Sequence, residues 1–575
     1  MTHVYEPDVP ITTRDGTSLF ADVWRPADGT APSLLMRIPY GRRQTGMWGA
    51  PDRGPAVMAF VNAGYAVVLQ DVRGTSASDG AFTPKVTERD DGLDTLAWLA
   101  EQPWSDGTVA TFGVSYMGMT QWALATSDAP ALKAVAPFFA ASDWYTRLWY
   151  SPGGALSLSV VTAWTATMAA LGEQRALRRG DSTDPSTLMS VGAALLDPLG
   201  LNDTTPLTDH PLLRGRPWFD EWVAHPTYDD YWAAQNWSDA IGEITVPALV
   251  IAGWYDLKVT GSVDDWVGMR TRSGSPDARE KSRLIIGPWH HEGRTGQFQD
   301  RYFGPLAAVD LSEAHVAFYD EHVRGIAPAT PAPRVRIFVM GIDQWRDEPD
   351  WPLPDTRYVD HYLHGAGSAN TRDGDGTLES HPPTDEAADT LRYDPRDPVP
   401  TTGGAMLPSI PGVVGPVDQH AVDGRDDVLC YTGPVLVEPV EVTGSVELTV
   451  FVSSTAVDTD ITAKLVDVFP DGRALNLCDG ILRLRYRDGL TRPGPLTPGE
   501  VYEVTVDLGV TSNVFRAGHR IRLDVSSSNF PRYDRNSNTG GAISSERLED
   551  MVIADNSVFH GGLRPSRLVL PIIER

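Results

Sequence analysis

Cysteine is all but missing: Cys430 and Cys478 are the two in a chain of 575 residues. That excludes a disulfide framework and leaves room for one bridge at most. Neither cysteine stands with histidines at a spacing that suits zinc, so the expectation is no metal and no cofactor. Basic residues are scarce as well. The chain has 48 Lys and Arg against 76 Asp and Glu, a formal net charge of −28. Such a surface repels phosphate backbones, so nucleic acid is not an expected partner. Long apolar runs are lacking too. The most apolar stretch, 158–171, is short and broken by Thr and Trp, so no membrane span is expected. Residues Met1 to Pro7 show neither the basic region nor the apolar core of a secretory signal, and the expected location is the cytoplasm. There is no internal repeat and no low-complexity segment.

The remaining composition is that of an ordinary globular protein, with 41% hydrophobic and 22% charged residues. A chain this long exceeds what one core supports, and roughly two to four domains are expected. Seventeen Trp are many, which suits large cores or apolar pockets.

The first part alternates strand-like and helical patterns. Ser33 to Ile38 and Ala66 to Gln70 read as strands, with helical spacing from Ala56 to Ala63 between them. Gly92 to Glu101 reads as a helix, and Thr108 to Phe112 as a strand running into Ser115. This alternation predicts a parallel sheet covered by helices on both faces. From Trp144 to Ala240 strand signals vanish and Trp-rich helical patterns take over, as in an inserted helical cap. Strands return at Val246 to Ile251 and Arg283 to Ile286, a helix at Leu311 to Val323, and a last strand at Val335 to Met340. Beyond Pro352 apolar and polar residues alternate, as in Val446-Glu447-Leu448-Thr449-Val450, Tyr502 to Leu508 and Arg520 to Val525. Period two with Gly- and Pro-rich turns predicts half-buried antiparallel strands of a β-sandwich. The expected division is 1–143 with 241–352 for the α/β unit, 144–240 for the cap and 353–575 for the sandwich.

Ser115 lies between Gly113-Val114 and Tyr116-Met117-Gly118, at the junction of a predicted strand and a predicted helix. A serine hydroxyl becomes a nucleophile when a base takes its proton and a third group orients that base. A sharp strand-to-helix turn exposes it and aims backbone N–H groups at the developing oxyanion. The second glycine comes one place later than the general Gly-x-Ser-x-Gly pattern demands. Downstream, Gly253-Trp254-Tyr255-Asp256 and Gly287-Pro288-Trp289-His290-His291 each follow a predicted buried strand. Ser, then Asp, then His is the order of an α/β-hydrolase, and carboxyl ends of parallel strands are where such sheets place their sites. Local reading leaves His290 and His291 both open.

These motifs resemble the family of cocaine esterase, the Xaa-Pro dipeptidyl-peptidases and the α-amino-acid ester hydrolases. The resemblance runs through nearly the whole chain, including Arg14-Asp15-Gly16, Asp71-Val72-Arg73-Gly74, Val466 to Arg473 and Ser526 to Gly541. It implies an α/β-hydrolase core with an inserted helical cap and a C-terminal, jelly-roll-like β-sandwich. It implies that the glycine at Gly118 is the family's own spacing, that His291 is the base, and that the Tyr40 hydroxyl and the Tyr116 N–H form the oxyanion hole. It further implies that Trp149, Trp164 and Leu407 wall an acyl pocket, although Trp149 and Trp164 could equally serve only to pack the cap. Two positions depart from an aromatic acyl site: Lys258 and Pro408 stand where phenylalanines would be expected. Whether Lys258 faces the pocket or the solvent is open at this level. Ser526 to Gly541 reads as a polar structural loop that holds domains together.

The expected function is a serine esterase acting on small-molecule carboxylic esters, benzoyl-type acyl groups among them, through an acyl-enzyme. The resemblance implies a homodimer. The rivals are an Xaa-Pro dipeptidyl-peptidase or α-amino-acid ester hydrolase, which would need a carboxylate to hold a substrate ammonium, and a catalytically silent binding protein built on a hydrolase scaffold.

Overall fold

The computed structural model describes residues 2–43, 57–407 and 414–575. Pro408 and the first residue of the helix expected from Ala56 lie outside them.

A ten-stranded sheet forms the catalytic unit. Its strands are β1 (His3–Thr12), β2 (Ser18–Pro26), β3 (Ala31–Ile38), β4 (Ala66–Asp71) and β5 (Ser105–Val114). The others are β6 (Leu132–Phe138), β7 (Leu249–Tyr255), β8 (Arg283–His290), β9 (Val335–Val339) and β10 (Gln344–Glu348). The spatial order is β1-β2-β4-β3-β5-β6-β7-β8-β9-β10. Strands β3 to β9 pair in parallel, and antiparallel strands close both edges. Every residue of β3, β4 and β7 is buried, because helices cover both faces of the sheet. Among those helices are α1 (Val57–Asn62), α2 (Glu88–Ala100) and α3 (Tyr116–Ala125). Helix α2 carries Glu88, Asp90 and Asp91 in its first turn, where carboxylates suit the positive end of the helix dipole.

Two corrections concern this sheet. The strand from Val335 is not the last of the unit, since β10 turns back antiparallel to β9 across Val339–Gln344 pairing. The N-terminal hairpin of β1 and β2 carries no apolar run as compact as those of the central strands, and sequence reasoning passed it over.

The cap enters between β6 and β7. Its main helix, α4 (Leu158–Arg179), is followed by helices Ser186–Leu195 and Pro217–Ala224. No described helix is long and apolar enough to cross a membrane. The C-terminal unit is a β-sandwich in which strand Val440–Ser454 pairs antiparallel with Tyr502–Phe515. Val446, Leu448, Val450 and Val452 point inward, as the alternation demands. Strand Arg520–Ser526 departs from it. Its polar residues Arg522 and Asp524 are buried as well, joined at 2.9 Å and with Arg522 reaching Asp423 at 3.0 Å. An ion pair of good geometry makes this second face tolerable inside the protein. Cys430 and Cys478 are both buried, unpaired thiols.

Segment Ser526 to Gly541 ties the sandwich to the cap. The Pro531 carbonyl accepts from Ser159 N–H at 3.1 Å, and Asp534 accepts from Leu156 N–H at 2.9 Å. On the sandwich side Arg483 holds Asp534 at 2.8 Å and the buried Asp460 at 3.0 Å. Burial pushes the Asp460 carboxyl up to about 6, even with Arg483 opposing it. Removing that guanidinium leaves a buried carboxylate without its partner, a loss of about 3 kcal/mol or more. Arg483→Met is therefore expected to lower the thermal-unfolding midpoint by roughly 6–12 °C. A scan in which the variant melts within a degree or two of the parent would show that this node does not join the units.

Candidate active site

Strand β5 delivers the chain to Ser115 in a conformation that side chains avoid, with φ 60° and ψ −123°. The turn is fixed by Ser115 N–H donating to the Phe138 carbonyl of β6 at 2.8 Å. Its glycines are required by space. A side chain at Gly113, whose φ is 137°, would meet Met117 Cβ at 2.5 Å, and one at Gly118 would meet Ala140 Cβ at 2.6 Å. The glycine displaced to 118 is thus the one pressed against the residues that follow β6. Such backbone strain persists where the surroundings over-determine it, which is common at reactive centres.

The other groups arrive at the carboxyl ends of neighbouring strands, with Tyr40 after β3, Asp256 after β7 and His291 after β8. His291 Nε2 lies 2.9 Å from Ser115 Oγ, and its Nδ1 lies 2.5 Å from Asp256 Oδ2. His290 turns away, its Nδ1 accepting from Glu292 N–H at 3.3 Å and its ring packing on Phe298. The structure thus brings together Ser115, His291 and Asp256. Asp256 is fully buried, and its other oxygen accepts from Lys258 N–H at 2.8 Å. Burial pushes its carboxyl up, but His291 and Lys258 outweigh that and hold it below the usual range. It is therefore a permanent anion at neutral pH, suited to orient the imidazole and stabilise its cation.

Tyr40 hydrogen-bonds to Ser115, and its hydroxyl accepts from Trp164 Nε1 at 3.0 Å. Burial pushes the phenol up to about 12, and these hydrogen bonds pull it back only in part. It stays a neutral donor at working pH. Tyr116 opens helix α3, directly after Ser115, so its backbone N–H has no intrahelical partner. Its side chain is anchored. The hydroxyl donates to Glu88 at 2.8 Å and accepts from Lys85 N–H at 3.2 Å, while Glu88 pairs with Arg37 at 2.8 Å. Nothing in the sequence marked Lys85 and Glu88, which are near neighbours, or the distant Arg37, which meets them only in the fold.

A cavity of about 380 Å³ opens over Ser115 and His291, and Trp149, Trp164, Lys258 and Leu407 all line it. Trp149 also stacks on Trp222 at 4.0 Å between ring centres, so it packs the cap and walls the cavity at once. Met119, Trp144, Leu148 and Val160 are among the other apolar residues that line it. Sequence reading did not single them out, since nothing distinguishes them from other core residues. The orientation of Lys258 is settled here: it is 3% exposed and directs Nζ to within 3.4 Å of Ser115 Oγ. A volume of this size, apolar with a few convergent polar groups, suits a small organic ligand.

Residues 15–293 match the model of the X-Pro dipeptidyl-peptidase (S15) family, and residues 328–569 that of the X-Pro dipeptidyl-peptidase C-terminal non-catalytic domain. Cocaine esterase from Rhodococcus sp. (strain MB1 Bresler) is 49% identical over 99% of this chain and 98% of its own length. An aminopeptidase from a marine sediment Thaumarchaeota archaeon superposes with a TM-score of 0.84 at 26% identity, covering 100% of this chain and 96% of that one. An α-amino acid ester hydrolase does so with a TM-score of 0.82 at 25% identity, covering 99% and 96%. Such likeness from end to end shows that the chain belongs to the family of cocaine esterase and the X-Pro dipeptidyl-peptidases.

Proposed function

We propose that Ser115, His291 and Asp256 form the triad of a serine hydrolase that cleaves small-molecule carboxylic esters by two-step acyl transfer. The observation that carries the reading is the unbroken chain Ser115 Oγ–His291 Nε2 at 2.9 Å and His291 Nδ1–Asp256 at 2.5 Å, open to an apolar cavity. The protein is an ester hydrolase, as its relatives named cocaine esterase and putative serine esterase are. His291 takes the Ser115 proton as Oγ attacks the ester carbonyl carbon. The carbonyl electrons move to the oxygen, which the Tyr40 hydroxyl and the Tyr116 N–H stabilise. The intermediate collapses, and the alcohol leaves with the proton from His291. Water, deprotonated by His291, then releases the acid and restores Ser115. Tyr40 donates better as negative charge builds, because burial keeps its proton in place.

Trp149, Trp164 and Leu407 are assigned to the acyl side of the cavity. The Xaa-Pro peptidase and aminoacyl-ester readings need an anion for a substrate ammonium. Among the described residues lining the cavity the one carboxylate is the exposed Glu292, and the buried cation Lys258 opposes an ammonium. The catalytic unit is taken as 1–143 with 241–352, the cap as 144–240 and the sandwich as 353–575. A cytoplasmic location is supported by two thiols left unpaired. A homodimer goes with the family reading, and sedimentation at the mass of one chain would overturn it.

Ser115→Ala is expected to abolish fluorophosphonate labelling and ester turnover. Asp256→Asn should lower kcat by about 10⁴ through the wrong imidazole tautomer. Tyr40→Phe should lower it by about 10² to 10³. Equal esterase rates for Ser115→Ala and the parent would revive the silent-scaffold reading, and faster cleavage of Xaa-Pro amides than of aryl esters would sink the esterase one.

Trp164→Phe keeps a ring in the cavity but removes the N–H that holds Tyr40. A loss of about 1 kcal/mol in transition-state stabilisation is expected, a several-fold fall in kcat/KM. In a cycle with Tyr40→Phe the two losses should not add. Additive losses would mean that Trp164 acts on the substrate alone.

A further inference from the structure

Three lysines are buried in this protein, and two of them are satisfied from within. Lys85 Nζ donates to the Gln235 carbonyl at 2.6 Å and lies 3.9 Å from the centre of the Trp144 ring. Lys464 Nζ donates to Gln419 Oε1 at 3.1 Å, with Asp479 and Asp524 nearby. Lys258 differs. Among the described residues its Nζ has one hydrogen-bond contact, the 3.4 Å approach to Ser115 Oγ, and no carboxylate lies within ion-pair distance of it. A buried ammonium in apolar surroundings is unfavourable unless something pairs with it. Trp149, Trp164, Leu148 and Val160 in the surrounding wall offer it no anion, and the one carboxylate among the described lining residues, Glu292, is exposed and makes no ion pair with it.

We propose that Lys258 is a specificity residue that pairs with a carboxylate on the acyl group, so that the enzyme favours monoesters of short dicarboxylic acids. This rests on the serine-esterase reading above and names its substrate class. The length follows from the geometry. With carbon–carbon bonds of about 1.5 Å and a charge-assisted hydrogen bond of about 2.8 Å, a carboxylate on Nζ ends roughly two to four bonds beyond the acyl carbon. The oxyanion is already provided for by Tyr40 and the Tyr116 N–H, which leaves Lys258 to face the rest of the acyl chain. The charged and titratable groups around it are Asp256, whose carboxylate is engaged by His291, the phenol of Tyr40, His291 itself and Glu292. Glu292 is exposed at the rim, where water and salt screen it. Burial draws the Lys258 ammonium down to about 8, with Asp256 pulling the other way. The cation is thus present at neutral pH and is lost as pH rises through about 8.

The test compares p-nitrophenyl hemisuccinate and hemiglutarate with the neutral butyrate and valerate esters, using the full-length protein. The parent should favour the half-esters in kcat/KM, and that preference should decline as pH passes about 8. Lys258→Met should lower the half-ester to neutral-ester ratio by at least about thirtyfold, as loss of one partner of a desolvated charge pair does. Lys258→Arg should restore part of it. Inhibition by 3-carboxypropylboronic acid against butylboronic acid, measured on the parent, reads the same preference without any variant having to fold. Equal inhibition by the two boronic acids, a parent without half-ester preference, or an equal loss on both ester classes in Lys258→Met overturns the proposal. Turnover that persists in Ser115→Ala is instead the failure of the esterase reading itself. Turnover that needs Ser115 but ignores the carboxylate is the failure of Lys258 alone.

Discussion

The strained turn at Ser115 is the constraint on which the rest of this site depends. A φ of 60° is unfavourable for serine, and it persists because β6 holds its amide, while Gly113 and Gly118 leave room for Met117 and Ala140. The same turn starts helix α3, whose first N–H groups have no carbonyl of their own. On the serine-hydrolase reading, one backbone feature thereby lifts the nucleophile out of the sheet and supplies a donor for the oxyanion. The parallel order of β3, β5, β6, β7 and β8 does the remainder. Their carboxyl ends lie side by side, so that Tyr40 and His291 meet at Ser115 while Asp256 reaches the far nitrogen of His291.

Other charges buried in this protein are held in ion-paired clusters, and the clusters have different tasks. Arg37 and Glu88 lock the Tyr116 hydroxyl, which fixes the first residue of helix α3 directly after Ser115. Arg483, Asp460 and Asp534 join the sandwich to the cap, and the cap in turn carries Trp164, whose N–H positions Tyr40. A distant contact between sandwich and cap is thus connected to Tyr40 through packed, hydrogen-bonded groups. Leu407, from the C-terminal part of the chain, lines the cavity as well.

The parts of this arrangement legible in the sequence are those that a local period or spacing encodes. The buried runs of β3, β4 and β7, the strand–serine–helix junction and the order of Ser115, Asp256 and His291 could be read directly. The choice between His290 and His291 could not, because successive residues at a strand end point to opposite faces and only the finished register says which one faces Ser115. The polar face of Arg520–Ser526 was misleading for a related reason. Alternating charge looks like a solvated face until the partners Asp423 and Arg522 are brought together from a hundred residues apart. Likewise Lys85, Glu88 and Arg37 are ordinary charged residues until folding places them behind Tyr116.

Lys258 shows how the same loop separates fixed chemistry from adjustable specificity. Its backbone N–H binds Asp256 Oδ1, a contact that any residue other than proline can make. Its side chain enters the cavity beside the nucleophile. The orientation of the catalytic acid is therefore independent of what stands at position 258, while the charge and shape presented to the acyl group are set by it. A change at this position moves substrate preference without disturbing the Asp256–His291 contact.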